Sequence, residues 1–295
     1  MKTPSAPAQI NTKHIVGFSG GIDSQACARW VLNRFGPQDT ILTNSDAGGW
    51  EDPLTIEFVE WYSANVHSVI HTPARIKDMW ETPGFAETKG LDGESILTFE
   101  EMCRIKGCAP SRKAQFCTEI LKLKPQRRWV RETFGVGGQF EGWDFCRYAG
   151  IRRDESASRK DVPFELWDDW FDCHLYYPIA DWTKKMCFDF VEAHGEQFNP
   201  LYRLGFNRVG CAPCVNSSKE DILNWSIRRP EMIDKVRGLE ALTGRTFFRP
   251  VRRDSIPTSI DEAVAWARTS RGGVQEPFPI FHEREACESK YGLCE

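Results

Sequence analysis

The sequence predicts an α/β fold around a parallel sheet. Two observations carry this. Short apolar runs end in glycine or turn residues, and each is followed by a stretch with helical spacing. Residues 14–19 (HIVGFS), 41–46 (ILTNSD) and 67–73 (HSVIHTP) read as strands, with helices at 24–35 and 53–65 between them. Strand–helix alternation of this kind buries a parallel sheet under helices on both faces.

The elements follow in order. In the helix at 24–35, Ala26, Trp30 and the pair Val31 and Leu32 lie near one face, and Gly36 and Pro37 stop it. The helix at 53–65 opens with Pro53, a favoured first-turn residue. Residues 74–111 follow no period and read as a lid or insertion. A helix is predicted from about 112 to 134, ended by Gly135, with a break or kink at Pro125. Residues 145–152 and 174–179 are further strands, and a helix runs from Asp181-Trp182-Thr183 to His194-Gly195. Beyond 195 come a Cys-containing loop (205–218), two helices (about 218–243), an Arg- and Pro-rich loop, a helix at 260–269 and a Cys-bearing tail. The predicted organisation is a flexible lead (1–13), a nucleotide-binding domain (14–195) and a C-terminal helical region (196–295).

The composition is that of a globular protein: 41% hydrophobic and 27% charged residues, with a net charge of −4. That charge advertises no nucleic-acid partner globally, although local patches still can bind one. No apolar run reaches the roughly 18 residues a membrane span needs, and residues 1–13 have no apolar core of a secretory signal. A cytoplasmic location and no membrane partner are the expectations. In such a reducing compartment, 11 cysteines point to metal or thiol chemistry for the closely spaced ones.

Between the first strand and first helix lies Ser19-Gly20-Gly21-Ile22-Asp23-Ser24. Adjacent glycines let the backbone approach an anion, and successive N–H groups at a helix N-terminus point at phosphate. Ser19 and Ser24 add hydroxyl donors, and Asp23 either caps the helix or orients Mg²⁺ and its waters. No Walker lysine motif is present. A second cluster is Gly150-Ile-Arg152-Arg-Asp-Glu155-Ser156-Ala-Ser-Arg159. Arg152 and Arg159 suit bidentate contacts to phosphate or sulfate, Glu155 can orient a guanidinium, and Ser156 can donate to an oxyanion.

SGGIDS is similar to the SGGxDS signature of PP-loop ATP pyrophosphatases, and GIRRDESASR resembles a segment of the phosphoadenosine phosphosulfate (PAPS) reductase family. Residues 110–125 (PSRKAQFCTEILKLKP) and the stretch from YPIADWT to NPLYRLGFNRVGCAPC (177–214) resemble that family too, in its order. The resemblance implies a doubly wound five-stranded parallel sheet of the adenine nucleotide alpha-hydrolase type. It implies ATP with Mg²⁺ at Ser19 to Ser24, adenosine near Asp46, and further contacts from Gly150, Arg152 and Ser156. Asp23, Arg152, Arg159 and Glu155 would be the catalytic set. Within the family the chain most resembles the DNA-phosphorothioation-type and phage- or plasmid-encoded members. Related proteins pair, which makes a homodimer the expected assembly.

Cys211-Ala-Pro-Cys214 is a CxxC pair able to place two thiolates on one metal. Cys117 matches a cysteine position of cluster-bearing relatives. A [4Fe-4S] cluster wants four thiolates; Cys294 is the preferred fourth, with Cys108 and Cys287 as alternatives and Cys103 behind them. Zinc is the alternative metal, and a redox dithiol the third reading. Cys27, Cys146, Cys173 and Cys187 fall in strand or helix patterns and read as small buried hydrophobes.

Two reactions fit the resemblance. One is adenylation of an acceptor by ATP with release of pyrophosphate, followed by sulfur transfer from a donor protein. The other is reduction of adenylyl sulfate or PAPS to sulfite by a cysteine nucleophile with an electron donor. The complete SGGxDS and the absence of an ECGLH-type tail favour the first; Cys287 and Cys294 in CESKYGLCE keep the second open. A non-catalytic nucleotide- or cluster-binding subunit of a modification or defence complex is the third class. For a nucleic-acid acceptor, residues 104–131 hold nine Lys/Arg and one acid, and 227–254 hold eight against four, with Trp225, Phe247 and Phe248 as stacking platforms. The acidic stretch 161–172 would repel one.

Overall fold

The computed structural model describes residues 11–83, 85, 90–111, 113–248 and 259–269. Its centre is a six-stranded sheet of β1 (Thr12–Gly17), β2 (Thr40–Asn44), β3 (Val69–His71), β4 (Asp144–Tyr148), β5 (Glu165–Asp168) and β6 (Cys173–Tyr176), in the order β3-β2-β1-β4-β6-β5. Five strands are parallel, as the alternation predicts. β5 is the addition: it pairs antiparallel with β6, Glu165 opposite Tyr176 and Asp168 opposite Cys173. Its acidic composition hid it from the sequence reading. Charges are what an exposed edge strand carries, because they discourage pairing with another chain.

The chain moves from β1 outward through β2 to β3, then returns to the other side of β1 for β4. The order therefore reverses between β1 and β4. Successive β1 residues serve opposite faces. Val16 packs with Cys27, Val31, Phe58 and Tyr62 of α1 (Ile22–Phe35) and α2 (Pro53–Asn65). Ile15 packs with Leu123, Val130 and Phe171 on the other face. That two-sided burial is why the strand is an unbroken apolar run.

Pro125 stands near the start of α4 (Lys124–Phe134), preceded by a π-helical turn over Thr118–Leu123. Proline lacks an N–H and crowds the preceding turn, so the helix predicted to break or kink at Pro125 changes its winding there. Residues 74–111 do not form a detached lid. They contain α3 (Phe99–Lys106), capped by Thr98, whose Oγ1 accepts from Glu101 N–H at 3.1 Å. Met79, Leu97, Phe99 and Met102 share one core with Trp225, Val236 and Phe247 of the C-terminal part. That part holds α6 (Pro200–Arg203), α7 (Lys219–Arg228), α8 (Pro230–Thr243) and α9 (Ile260–Ala267), while α5 (Lys184–Ala193) packs on α1 through Cys187 and Val191. Among the described residues no helix is long and apolar enough to cross a membrane.

One buried base sets an acid limit. His14 stacks on Phe35 at 3.6 Å between ring centroids and faces the Tyr148 hydroxyl at 2.9 Å. Burial lowers its pKa to about 4, Asp39 working against the shift and Lys13 with it. The unfolded chain then binds more protons than the folded one between pH 6.5 and 4, so stability is fully present above that window and is lost as pH falls through it. With solvent screening allowed for, the loss from pH 7 to 5 is about 1 kcal/mol. Thermal midpoints of wild type and His14→Gln should converge on acidification; parallel profiles would refute the assignment.

Candidate functional site

The glycine turn after β1, Asp46 and the Gly150 segment meet at the carboxyl ends of the parallel strands. The loop after β1 turns at Gly20, with φ of +80°, and α1 begins beyond Gly21 as its N-cap. A Cβ on Gly20 would meet Val59 Cγ2 at 3.1 Å and Thr55 Cγ2 at 3.3 Å, so both conformation and space require glycine. Ser24 Oγ donates to Gly21 O (2.8 Å) and accepts from Ser19 N–H (3.2 Å), while the Ser19 and Ser24 hydroxyls lie 3.1 Å apart. The serines thus knit the loop as well as lining it.

The segment between β4 and β5 closes on this turn from the other side of the switch point. A Cβ on Gly150 would stand 2.4 Å from Asp23 O and 2.8 Å from Ser24 N. Asp23 is fully buried, and its Oδ2 lies 2.8 Å from Arg152 Nε; Arg152, itself buried, also pairs with Asp154. Glu155 and Arg159 form a second buried pair. Ser156 Oγ lies 2.9 Å from Ser158 Oγ. The structure therefore places Asp23 toward Arg152 and not outward, and the two arginines are engaged by carboxylates. The Asp23–Arg152 pair ties the first turn of α1 to the segment after β4.

Residues of the α6 segment hold the loop as well. Tyr202 OH accepts from Ile22 N–H at 2.9 Å, and Asn199 Nδ2 donates to Gly20 O at 3.3 Å and Thr55 Oγ1 at 3.1 Å. Asp46 lies two residues beyond β2, where its Oδ1 accepts from Gly48 N–H at 2.7 Å.

A cleft lined by Cys117, Cys211, Cys214, Lys122, Arg208 and Asn216 forms a second feature. Its CxxC loop docks on the segment after Asp46: Glu51 bridges Cys211, Ala212 N–H donates to Trp50 O (2.9 Å), and Trp50 Nε1 donates to Pro213 O (3.0 Å). Burial pushes the Cys211 thiol up to about 11, with Lys122 opposing, and Cys117 up to about 12. Burial disfavours the Lys122 cation, but Cys211, Glu51, Cys117 and Cys214 hold its pKa above the usual value. Lys122 Nζ lies 3.8 Å from Glu51 Oε1, and burial raises Glu51 to about 7 against that pull. Among the described residues no three His, Cys, Asp or Glu side chains are gathered to hold a single metal ion.

Residues 13–217 match the family model for the phosphoadenosine phosphosulfate reductase domain. The chain belongs to that family. This PAPS reductase-family protein is 28% identical to an uncharacterized 37.8 kDa protein of Escherichia phage 186, over 97% of each chain. It is 31% identical to the adenosine 5′-phosphosulfate reductase of Allochromatium vinosum, over 60% of this chain and 59% of that one. The alignment thus spans less than two thirds of that enzyme. Among solved structures it is similar to the PAPS reductase of Candida auris, with a TM-score of 0.44 and 13% identity over 69% of this chain and 82% of that one.

The topology of the PAPS reductase-family domain brings Ser19 to Ser24, Asp46, Gly150, Arg152 and Ser156 to one end of the sheet. It brings Cys117 to Cys211 and Cys214, which are far apart in sequence. Cys108 is half-buried and Cys103 buried; neither lines that cleft. Cys287 and Cys294 lie outside the described residues. Cys27, Cys146, Cys173 and Cys187 are buried, as their patterns predict. The sequence reading missed Asn199, Tyr202, Glu51 and Lys122, whose partners lie 71 to 180 residues away. The one local signal was Asn199-Pro200, a helix start in which Asn199 Oδ1 accepts from Leu201 N–H.

The stacking platforms are corrected. Trp225 and Phe247 are 2% and 1% exposed, packed in the core of the C-terminal part, and cannot stack on bases. Many of the basic residues are engaged as well: Arg104 with Glu101, Lys124 with Glu119, Arg128 with Asp78, Arg229 with Asp52 and Arg237 with Asp261.

Proposed function

We propose that this protein binds Mg-ATP at Ser19 to Ser24 and adenylates an acceptor for sulfur transfer. The observation that carries the reading is the loop itself: a complete glycine turn at the topological switch point, entering a helix N-terminus, with Gly150 pressed against its backbone. Ligands of open α/β sheets bind at that point, and aligned N–H groups stabilise phosphate charge. In the reaction an acceptor oxygen attacks the α-phosphorus, the bond to the bridging oxygen breaks, and pyrophosphate leaves. The protein's part is positioning and charge neutralisation.

We infer that Cys117, Cys211 and Cys214 hold an iron–sulfur cluster. Three thiols and a buried cation in one cleft are a donor set for an anionic thiolate-ligated group. The thiols line one cleft without being gathered around a single ion among the described residues, which suits a cluster that distributes its thiolates over several irons better than one zinc, whose ligands converge to about 2.3 Å. The raised pKa values of Cys117 and Cys211 keep those two thiols protonated unless a metal displaces the protons, which supports ligands over a free nucleophile. Cys211→Ser should remove most iron from anaerobically purified protein while nucleotide affinity persists. Unchanged iron and zinc content would refute that ligand.

Similarity to adenosine 5′-phosphosulfate reductases favours a second reading, reduction of a sulfonucleotide. Calorimetry of the anaerobic protein with Mg-ATP, adenylyl sulfate and PAPS separates the two. Preference for Mg-ATP, with pyrophosphate released on adding acceptor, is expected. Preference for a sulfonucleotide, with sulfite formed, would replace adenylation by reduction.

A further inference from the structure

The docking of the CxxC loop sets a carboxylate beside the thiols. Glu51 and Cys211 form an antiparallel bridge. Residues directly opposite in such a pair send their side chains to the same side, with Cβ atoms about 5 Å apart. Glu51 is 4% exposed, and its Oε1 has no hydrogen-bond partner among the described residues. Its ion pair with Lys122 Nζ spans 3.8 Å, beyond hydrogen-bond length. Lys122 is buried as well and lines the cleft with Cys117, Cys211 and Cys214. A buried carboxylate oxygen left unsatisfied is costly, and it calls for a partner that the surrounding side chains do not supply.

We propose that Glu51 is the fourth protein ligand of the iron–sulfur cluster, an oxygen donor beside the thiolates of Cys117, Cys211 and Cys214. The cleft supplies three thiols where a four-iron cluster takes four ligands. Glu51 thus takes the place that the sequence reading gave to Cys294. Iron in a cluster accepts ligands other than thiolate, as the imidazoles of Rieske centres show, and carboxylate is an ordinary ligand of iron. The charge also fits. A carboxylate brings the same single negative charge as a thiolate, and Lys122 lies within the cleft to offset it. Ligation does not depend on the free carboxyl being ionised, since a metal displaces its proton as it does a thiol's. The register is fixed from next door: Trp50 is 1% exposed, its O accepts from Ala212 N–H at 2.9 Å and its Nε1 donates to Pro213 O at 3.0 Å. A slip of one residue would turn the carboxylate away from Cys211.

This inference rests on the iron–sulfur reading above, and the test separates the two. Iron and acid-labile sulfide are measured on anaerobically purified full-length wild type, Glu51→Gln, Glu51→Cys and Cys294→Ser, with thermal midpoints to establish folding. Glu51→Gln keeps the shape of the side chain and removes the ligand. It should take the cluster from about one iron per sulfide to about three irons per four sulfides. Cys294→Ser should keep the wild-type ratio. Glu51→Cys offers a thiolate in place of the carboxylate and should keep four irons with an altered visible spectrum, a result that stands even where Glu51→Gln does not fold. Iron and sulfide falling in proportion in Glu51→Gln would make Glu51 structural, and an unchanged ratio there, or an unaltered spectrum in Glu51→Cys, would equally overturn the proposal. So would a three-iron ratio in Cys294→Ser. Wild type free of iron and sulfide would overturn the cluster reading itself, and with it this one.

Discussion

Gly150→Ala is expected to abolish useful nucleotide binding. The new methyl would stand 2.4 Å from Asp23 O, 2.5 Å from Asp23 C and 2.8 Å from Ser24 N. These are backbone atoms of the first turn of α1 and cannot rotate away, so the β4 exit and the phosphate loop must separate. Overpacking of this kind costs about 3 kcal/mol, on the order of 100-fold in affinity if the displacement falls on the loop. Calorimetry with Mg-ATP reads the effect, and Gly238→Ala is the control. Gly238 lies in α8 with nothing within 4 Å of its added Cβ, and alanine there should favour the helix. A folded Gly150→Ala protein with wild-type affinity would remove the β4 loop from the site.

Asp23→Ala should destabilise the fold as well as the site. Asp23 and Arg152 are both buried, and Arg152 would keep its pair with Asp154. Breaking a buried pair by removing one member typically costs 3–5 kcal/mol, because the other charge stays buried. Asp154 places this case near the lower figure, about 3 kcal/mol. Asp23→Leu combined with Arg152→Met should recover much of the stability in urea unfolding, since an apolar pair of similar volume tolerates the same burial. It should not recover Mg-ATP affinity. Recovery of both would mean that the pair is structural filler; loss of affinity without loss of stability would mean that Asp23 acts on the ligand directly.

Much of the molecule was legible without coordinates because the signals were local. The apolar run of β1 and the glycine pair after it announce a strand, a tight turn and a helix start within about a dozen residues. The Pro53 helix was placed at 53–65, where α2 lies, because Asp52 and Pro53 form a self-sufficient N-terminus: Asp52 accepts from Leu54 N–H. β5 was not legible, since its residues are polar enough to pass for a loop and become a strand only through β6. α3 was lost in an aperiodic segment whose apolar residues face a core supplied by the far end of the chain.

The same division holds at the site. By itself the sequence determined the glycine turn between β1 and α1, the Gly150 segment and the CxxC pair, because each is a short run whose character depends on neighbours in the chain. Only the tertiary structure decided what those residues face. It turned Asp23 inward to Arg152, set Tyr202 and Asn199 on the loop, and brought Cys117 and Lys122 to Cys211 and Glu51. The physical reason is that burial and pairing are properties of the packed sheet. A carboxylate's direction and a thiol's pKa are set by groups from other elements, and those meet only after the chain has crossed between β1 and β4.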